Sequence, residues 1–163
     1  MIVSFDLDDT LYVDPNVSST EKSLKFPFNR IYRERLRLGA VNLMNRIRKN
    51  GIGLWIYTTS FRSERYIRAY FRHYGIKLDE VINGQRHQRE VQRDQAVPLP
   101  SKYPSRYRID LHIDDDPTVK QNGKVFGFRV LLIEQNTENW DELVWHEIEK
   151  IKNQKAPDLA IHP

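Results

Sequence analysis

Three apolar runs in this chain each end in side chains able to handle a phosphate or a hard cation. Residues 2–7 deliver Asp6, Asp8 and Thr10, residues 52–57 lead into Thr58, Thr59 and Ser60, and residues 109–113 lead into Asp114, Asp115 and Asp116. In an open parallel sheet the ligand lies outside the carboxyl ends of the strands, so these groups are expected to converge. Several carboxylates in one place cannot all stay ionised without a cation, and oxygen ligands select a Mg²⁺-like ion. A phosphate beside that ion needs a hydroxyl donor and a compact positive charge. Thr58 meets the first need and Lys102, the only lysine between residues 84 and 108, meets the second. Thr59 and Ser60 offer the same hydroxyl, and Arg93, Arg106 and Arg108 compete with Lys102. Carboxylate, metal, hydroxyl and lysine together are the parts of a phosphoryl-transfer site. A helix cap or Asp-rich turn before Pro117 explains one carboxylate of that trio but not three. His73, His87 and His112 share no common spacing, no histidine metal site is expected and none of the three is given a role, and Asp9 reads as a residue of the turn after the first run.

These groups must be positioned by strands alternating with helices. Short apolar segments at 2–7, 52–57, 80–83, 109–113 and 128–133 predict buried strands. Leu36, Ala40, Leu43, Met44 and Ile47 recur at helical spacing and predict a helix over about 30–50, stopped by Asn50-Gly51. Ile67, Tyr70, Phe71 and Tyr74 predict a second helix over 62–74, and Trp140, Val144, Glu147 or Ile148, and Ile151 a closing one. Turn formers dominate 12–29, read as a loop with a short hairpin. Residues 84–107 are polar and punctuated by Pro98, Pro100 and Pro104, read as a loop. The alternation predicts an α/β fold: a doubly wound, Rossmann-like parallel sheet in three αβα layers with right-handed crossovers. The 163 residues suit a single domain, 1–163.

Composition narrows the setting. The chain is 39% hydrophobic and 29% charged, and no apolar run approaches the roughly 20 residues needed to cross a bilayer. Cysteine is absent, which removes disulfides and thiolate metal sites. No basic, apolar and small-residue leader follows Met1, so the expectation is a cytoplasmic protein. The net charge of +4 favours acidic partners. It is concentrated at residues 30–49, with seven basic side chains against one acidic, and at 84–108, with six against two.

The stretch Phe5-Asp6-Leu7-Asp8-Asp9-Thr10-Leu11 resembles the signature of the haloacid dehalogenase (HAD) superfamily, an apolar strand followed by D-x-D-x-T. Thr58, closing Leu54-Trp55-Ile56-Tyr57, resembles its second motif, and Leu111-His112-Ile113-Asp114-Asp115 its fourth. Lys102, 13 residues before Asp115, stands where a third is expected, a spacing at the short end for the family. The resemblance implies a phosphatase in which Asp6 is the nucleophile that becomes an aspartyl phosphate and Asp8 the general acid and then base. It implies Mg²⁺ held by Asp6, the backbone carbonyl of Asp8 and Asp115, with Asp114 beside or sharing the site, while Thr58 and Lys102 orient the phosphoryl oxygens. A two-component receiver domain also clusters aspartates with a Thr/Lys pair, but it phosphorylates an Asp at the end of a middle strand, where this chain has Asn83-Gly84.

Members of the superfamily often carry a cap domain after the first motif or between the second and third. Only about 20 residues separate Thr10 from the first predicted helix, and 43 lie between Thr58 and Lys102, already holding a helix and a strand, so no cap is expected. An uncapped site cannot easily enclose a small metabolite. The expected substrate is therefore a phosphorylated macromolecule or extended molecule, a nucleic-acid end or a phosphoprotein, with 84–108 and Arg65, Arg68 and Arg72 as contacts. The alternatives are a nucleotide or sugar phosphate phosphatase capped by oligomerisation, and a non-catalytic phosphate-binding module on the same fold.

Overall fold

A computed structural model describes residues 1–93 and 99–155. Its centre is a five-stranded, all-parallel sheet of β1 (Ile2–Phe5), β2 (Gly53–Tyr57), β3 (Glu80–Ile82), β4 (Leu111–Asp114) and β5 (Val130–Leu132), in the order β3-β2-β1-β4-β5. The chain builds outward from β1 in one direction, then returns to lay β4 on the other side of it. That reversal puts the switch point between β1 and β4, where a doubly wound sheet opens its ligand crevice.

In the β1–β2–β4 register Val3 lies beside Leu54 and Leu111, and Phe5 beside Ile56 and Ile113. With alternate side chains on opposite faces, these residues form one apolar face. It is covered by helices α2 (Ala40–Lys49), α3 (Glu64–His73) and α6 (Trp140–Lys155), which supply Leu43, Met44, Ile47, Ile67, Phe71, Val144 and Ile148 to one buried cluster. The opposite face carries Ser4, Trp55, Tyr57, His112 and Val130. It is covered by α4 (Gly84–His87), a π-turn over Gln88–Gln92, a 3-10 turn over Pro104–Tyr107, and α5 (Pro117–Phe126). One face is a hydrocarbon core; the other holds buried polar groups that lead to the crevice.

The five predicted strands form, and the fold is the doubly wound αβα arrangement the alternation implies. Three elements differ from expectation. The helix expected from residue 30 begins only at Ala40, after a single helical turn, α1 (Phe28–Ile31). Leu36 and Arg37 instead form antiparallel bridges to Tyr12 and Thr20, so the apolar spacing at Leu36 reflects burial in extended chain. Gly39, at φ +89°, turns the chain into α2, where the Glu21 carboxylate accepts from the amides of Gly39 (3.0 Å) and Val41 (3.3 Å) and satisfies the open helix end. Second, much of 84–107 is helical, because Asn83 caps Arg86 N at 2.9 Å and Arg86 pairs with Glu90 one turn on. Pro98 lies outside the described residues. Third, α5 was not anticipated; Asp116 caps Thr118 N at 2.7 Å, Pro117 takes the first helical position and Gly127 closes the helix at φ +70°.

Candidate active site

Asp6 is the first residue past β1, and its amide still donates to Ile113 O at 2.9 Å, so the ladder fixes the backbone beneath the carboxylate. Across the switch point, β4 ends at Asp114. Lys102 reaches between them: Nζ stands 2.8 Å from Asp6 Oδ1, an ion pair outside hydrogen-bond geometry, and donates to Asp114 Oδ2 at 2.6 Å. All three side chains are buried. A chain of hydrogen bonds fixes the segment carrying Lys102. The Tyr57 hydroxyl accepts from Tyr103 N at 2.8 Å and lies 2.6 Å from His87 Nδ1, and burial keeps His87 below its ordinary pKa and therefore neutral.

Asp114 has further partners. His112, fully buried in β4, places Nε2 2.8 Å from Asp114 Oδ2 and Nδ1 2.8 Å from Ser4 Oγ, and Asp116 N donates to Asp114 Oδ1 at 2.9 Å. Burial pushes the His112 pKa down. A neutral ring that donates from Nε2 and accepts the Ser4 hydroxyl at Nδ1 satisfies every one of these contacts. Burial opposes the charge on Asp114, but the His112 hydrogen bond and Lys102 outweigh it and hold the carboxyl below its ordinary range. For Asp6 the balance is reversed: burial raises its pKa, Lys102 opposes and the Asp114 charge adds to the rise.

Asp115 accepts from the buried Thr10 hydroxyl at 2.9 Å. Thr10 is presented by a tight turn in which Leu11 N and Tyr12 N both return to Leu7 O, at 2.9 and 2.7 Å. Asp9 sits in that turn at φ +62° and takes a hydrogen bond from Gln135, the structural part expected of it. Asp6, Asp114 and Asp115 each offer a carboxylate oxygen, and the three oxygens lie within 4.8 Å of one another. Lys102 supplies one positive charge against three carboxylates, and the neutral His112 supplies none. This all-oxygen donor set with surplus negative charge fits a hard divalent cation such as Mg²⁺.

The other expected residues lie around this trio. Thr58 is buried at the end of β2, its amide donating to Ile82 O at 2.9 Å and its hydroxyl accepting from Ser60 N at 3.1 Å. The Asp8 carboxylate is not part of the trio. It is half exposed and paired with Arg62, Nη1 to Oδ2 2.8 Å, while Arg62 Nε reaches Glu34 at 3.0 Å. Glu34 in turn accepts from the Tyr66 hydroxyl at 2.8 Å.

Arg62, Glu34 and Ser4 escaped the sequence reading, which gave His112 and His87 no role, whereas the structure binds His112 to Asp114 and His87 to Tyr57. Ser4 and His112 did carry a signal, as polar residues inside otherwise apolar strands. Among the expected basic contacts, Arg68 pairs with Glu64 and Glu80, and Arg86 and Arg89 of the 84–107 segment pair with Glu80 and Glu90. No helix among the described residues is long and apolar enough to cross a membrane.

No family model matches the sequence, and no curated protein matches it. Among solved structures, a HAD-superfamily hydrolase of subfamily IA, variant 1, from Geobacter sulfurreducens aligns at TM-score 0.49 and 13% identity, over 80% of this chain and 88% of that one. A predicted HAD-like family hydrolase from Porphyromonas gingivalis aligns at TM-score 0.48 and 15% identity, over 90% of this chain and 97% of that one.

Proposed function

We propose that this chain is a Mg²⁺-dependent phosphatase of the HAD type that hydrolyses a phosphate monoester through an aspartyl phosphate on Asp6. The observation that carries the reading is Lys102 Nζ held between Asp6 and Asp114 at the switch point, at 2.8 and 2.6 Å. A buried lysine joined to the carboxylate at the end of the first strand suits a site that must draw in a phosphoryl group and balance its charge.

In this reading an oxygen of Asp6 attacks phosphorus, and the ester oxygen leaves with a proton from Asp8. Asp8 then takes a proton from water, whose oxygen attacks the phosphorus of the acyl phosphate. That step releases inorganic phosphate and restores the Asp6 carboxylate. For Asp8 to take part, its carboxylate turns from Arg62 toward the leaving group. Lys102 and Thr58 orient the phosphoryl oxygens. Asp6, Asp115 and the Asp8 carbonyl would hold Mg²⁺, with Asp114 beside them; the ion supplies charge neutralisation at the transferring phosphoryl group.

The half-exposed Asp8 supports a substrate whose leaving group extends away from the protein. Phosphate release from a panel of esters, with and without Mg²⁺, tests the proposal on wild type and Asp6→Asn. Metal-dependent hydrolysis lost in the variant is expected. A wild type inert toward every ester would end the enzyme reading, and an active Asp6→Asn would remove the assigned nucleophile.

A further inference from the structure

One stretch of basic surface without acidic neighbours lies on the segment between β1 and α2. From Lys22 to Arg33 there is no acidic residue, and Lys22, Lys25, Arg30 and Arg33 are all exposed. None of the four forms an ion pair among the described residues. The two flanking acids are engaged elsewhere, Glu21 with the start of α2 and Glu34 with Arg62 and Tyr66. Aromatic and aliphatic side chains stand among these cations: Phe26 is 70% exposed, Ile31 56%, and the Arg30 guanidinium lies 5.3 Å over the Phe26 ring.

This segment is seated on α3. Phe28 meets His73 with ring centroids 3.9 Å apart and the rings tilted by 36°, and Tyr32 meets Tyr66 at 4.9 Å. Beside those contacts α3 exposes Arg65 and Arg72, also without ion pairs among the described residues. From Tyr66 the contacts run through Glu34 and Arg62 to Asp8, at 2.8, 3.0 and 2.8 Å. The platform therefore adjoins the mouth of the candidate site on the side where Asp8 faces solvent.

We propose that residues 22–33, with Arg65 and Arg72, form a binding platform for single-stranded nucleic acid, which would deliver a phosphorylated end to Asp6. The proposal rests on the phosphatase reading for its catalytic part; the binding part stands independently. Cations interleaved with exposed rings match a strand that offers phosphates and stackable bases together. A phosphoprotein of similar charge would satisfy the cations but leave the Phe26 ring unused.

The test is fluorescence anisotropy with an unphosphorylated, labelled single-stranded oligonucleotide, which needs no turnover. Wild type should bind with log K falling against log salt at a slope between about −2 and −4, as expected for several neutralised phosphates. The double variant Arg30→Glu/Arg33→Glu should weaken binding about tenfold or more. Phe26→Ala should weaken it by several fold with an unchanged salt slope, since it removes stacking and no charge. Lys120→Glu/Lys124→Glu, on exposed positions of α5 across the sheet, makes the same charge change and should bind as wild type does. Absent binding at low salt, or equal losses in the two charge variants, would overturn the platform. Equal affinity for an acidic peptide of matched charge would overturn the nucleic-acid assignment. Binding without hydrolysis of any ester would leave the platform standing and remove the phosphatase reading instead.

Discussion

Arg62 holds Asp8 at the edge of the candidate site, Nη1 to Oδ2 2.8 Å, and the same guanidinium reaches Glu34 at 3.0 Å. The carboxylate assigned to proton transfer is thus tied to the segment that follows α1. A half-exposed pair of this kind contributes at most about 1 kcal/mol to stability, so its consequence lies in positioning.

Arg62→Ala should therefore lower kcat about 10- to 100-fold through loss of alignment, while Tm barely moves. Arg62→Lys should recover part of the rate, because an ammonium cannot span two carboxylates as a guanidinium does. Steady-state kinetics beside thermal melts separate the two effects; unchanged kcat in Arg62→Ala would dissociate this pair from catalysis.

Lys102→Met leaves Asp6 and Asp114 buried together with no cation between them. Removing one partner of a buried pair costs about 3–5 kcal/mol. The metal-free variant should melt well below wild type, and added Mg²⁺ should raise its Tm more than it raises that of wild type, because the ion replaces a missing charge. Calorimetry with and without Mg²⁺ reads both; equal shifts would contradict the shared site.

His112 links Ser4 to Asp114 inside the sheet, with 2.8 Å contacts on both sides. His112→Leu leaves two buried polar groups without their partner and should cost about 1–3 kcal/mol in urea unfolding. His112→Gln, which keeps a donor toward Asp114, should lose less and should retain more Mg²⁺ affinity by titration calorimetry. Equal losses would mean that the hydrogen bond to Asp114 is immaterial.

Gly84 follows β3, where a Cβ would lie 2.4 Å from Thr59 O. Only a bare backbone lets this turn close on the loop after Thr58. Gly84→Ala should destabilise by about 1–3 kcal/mol, because the loop must move to admit the methyl group. Because Thr59 adjoins Thr58, phosphate release should also fall. Retained stability and activity together would show that the two loops separate freely.

The strands and the carboxylates were legible because each depends on local pattern: an apolar run buried on both faces, then polar groups where the strand ends. The Asp6, Asp114 and Asp115 cluster follows from that pattern and from the parallel arrangement. The start of α2 was not legible, since Leu36 repeats at helical spacing for a different reason, its bridge to Tyr12. α5 was overlooked because its interior buries little beyond Val119 and Gly123, although Asp116-Pro117 and Gly127 marked its ends. The Arg62–Asp8 and Ser4–His112 contacts join residues 54 and 108 positions apart and depend on the finished sheet.

The account stands on Asp6 as the group that takes the phosphoryl. The most direct measurement is rapid acid quench during turnover of an ester in Mg²⁺, followed by mass spectrometry of the peptide containing Asp6. A phosphorylated, hydroxylamine-labile Asp6 that forms and decays at the turnover rate, and is absent in Asp6→Asn, is the predicted result. Turnover with no acyl phosphate on Asp6, or label appearing on another residue, would contradict it.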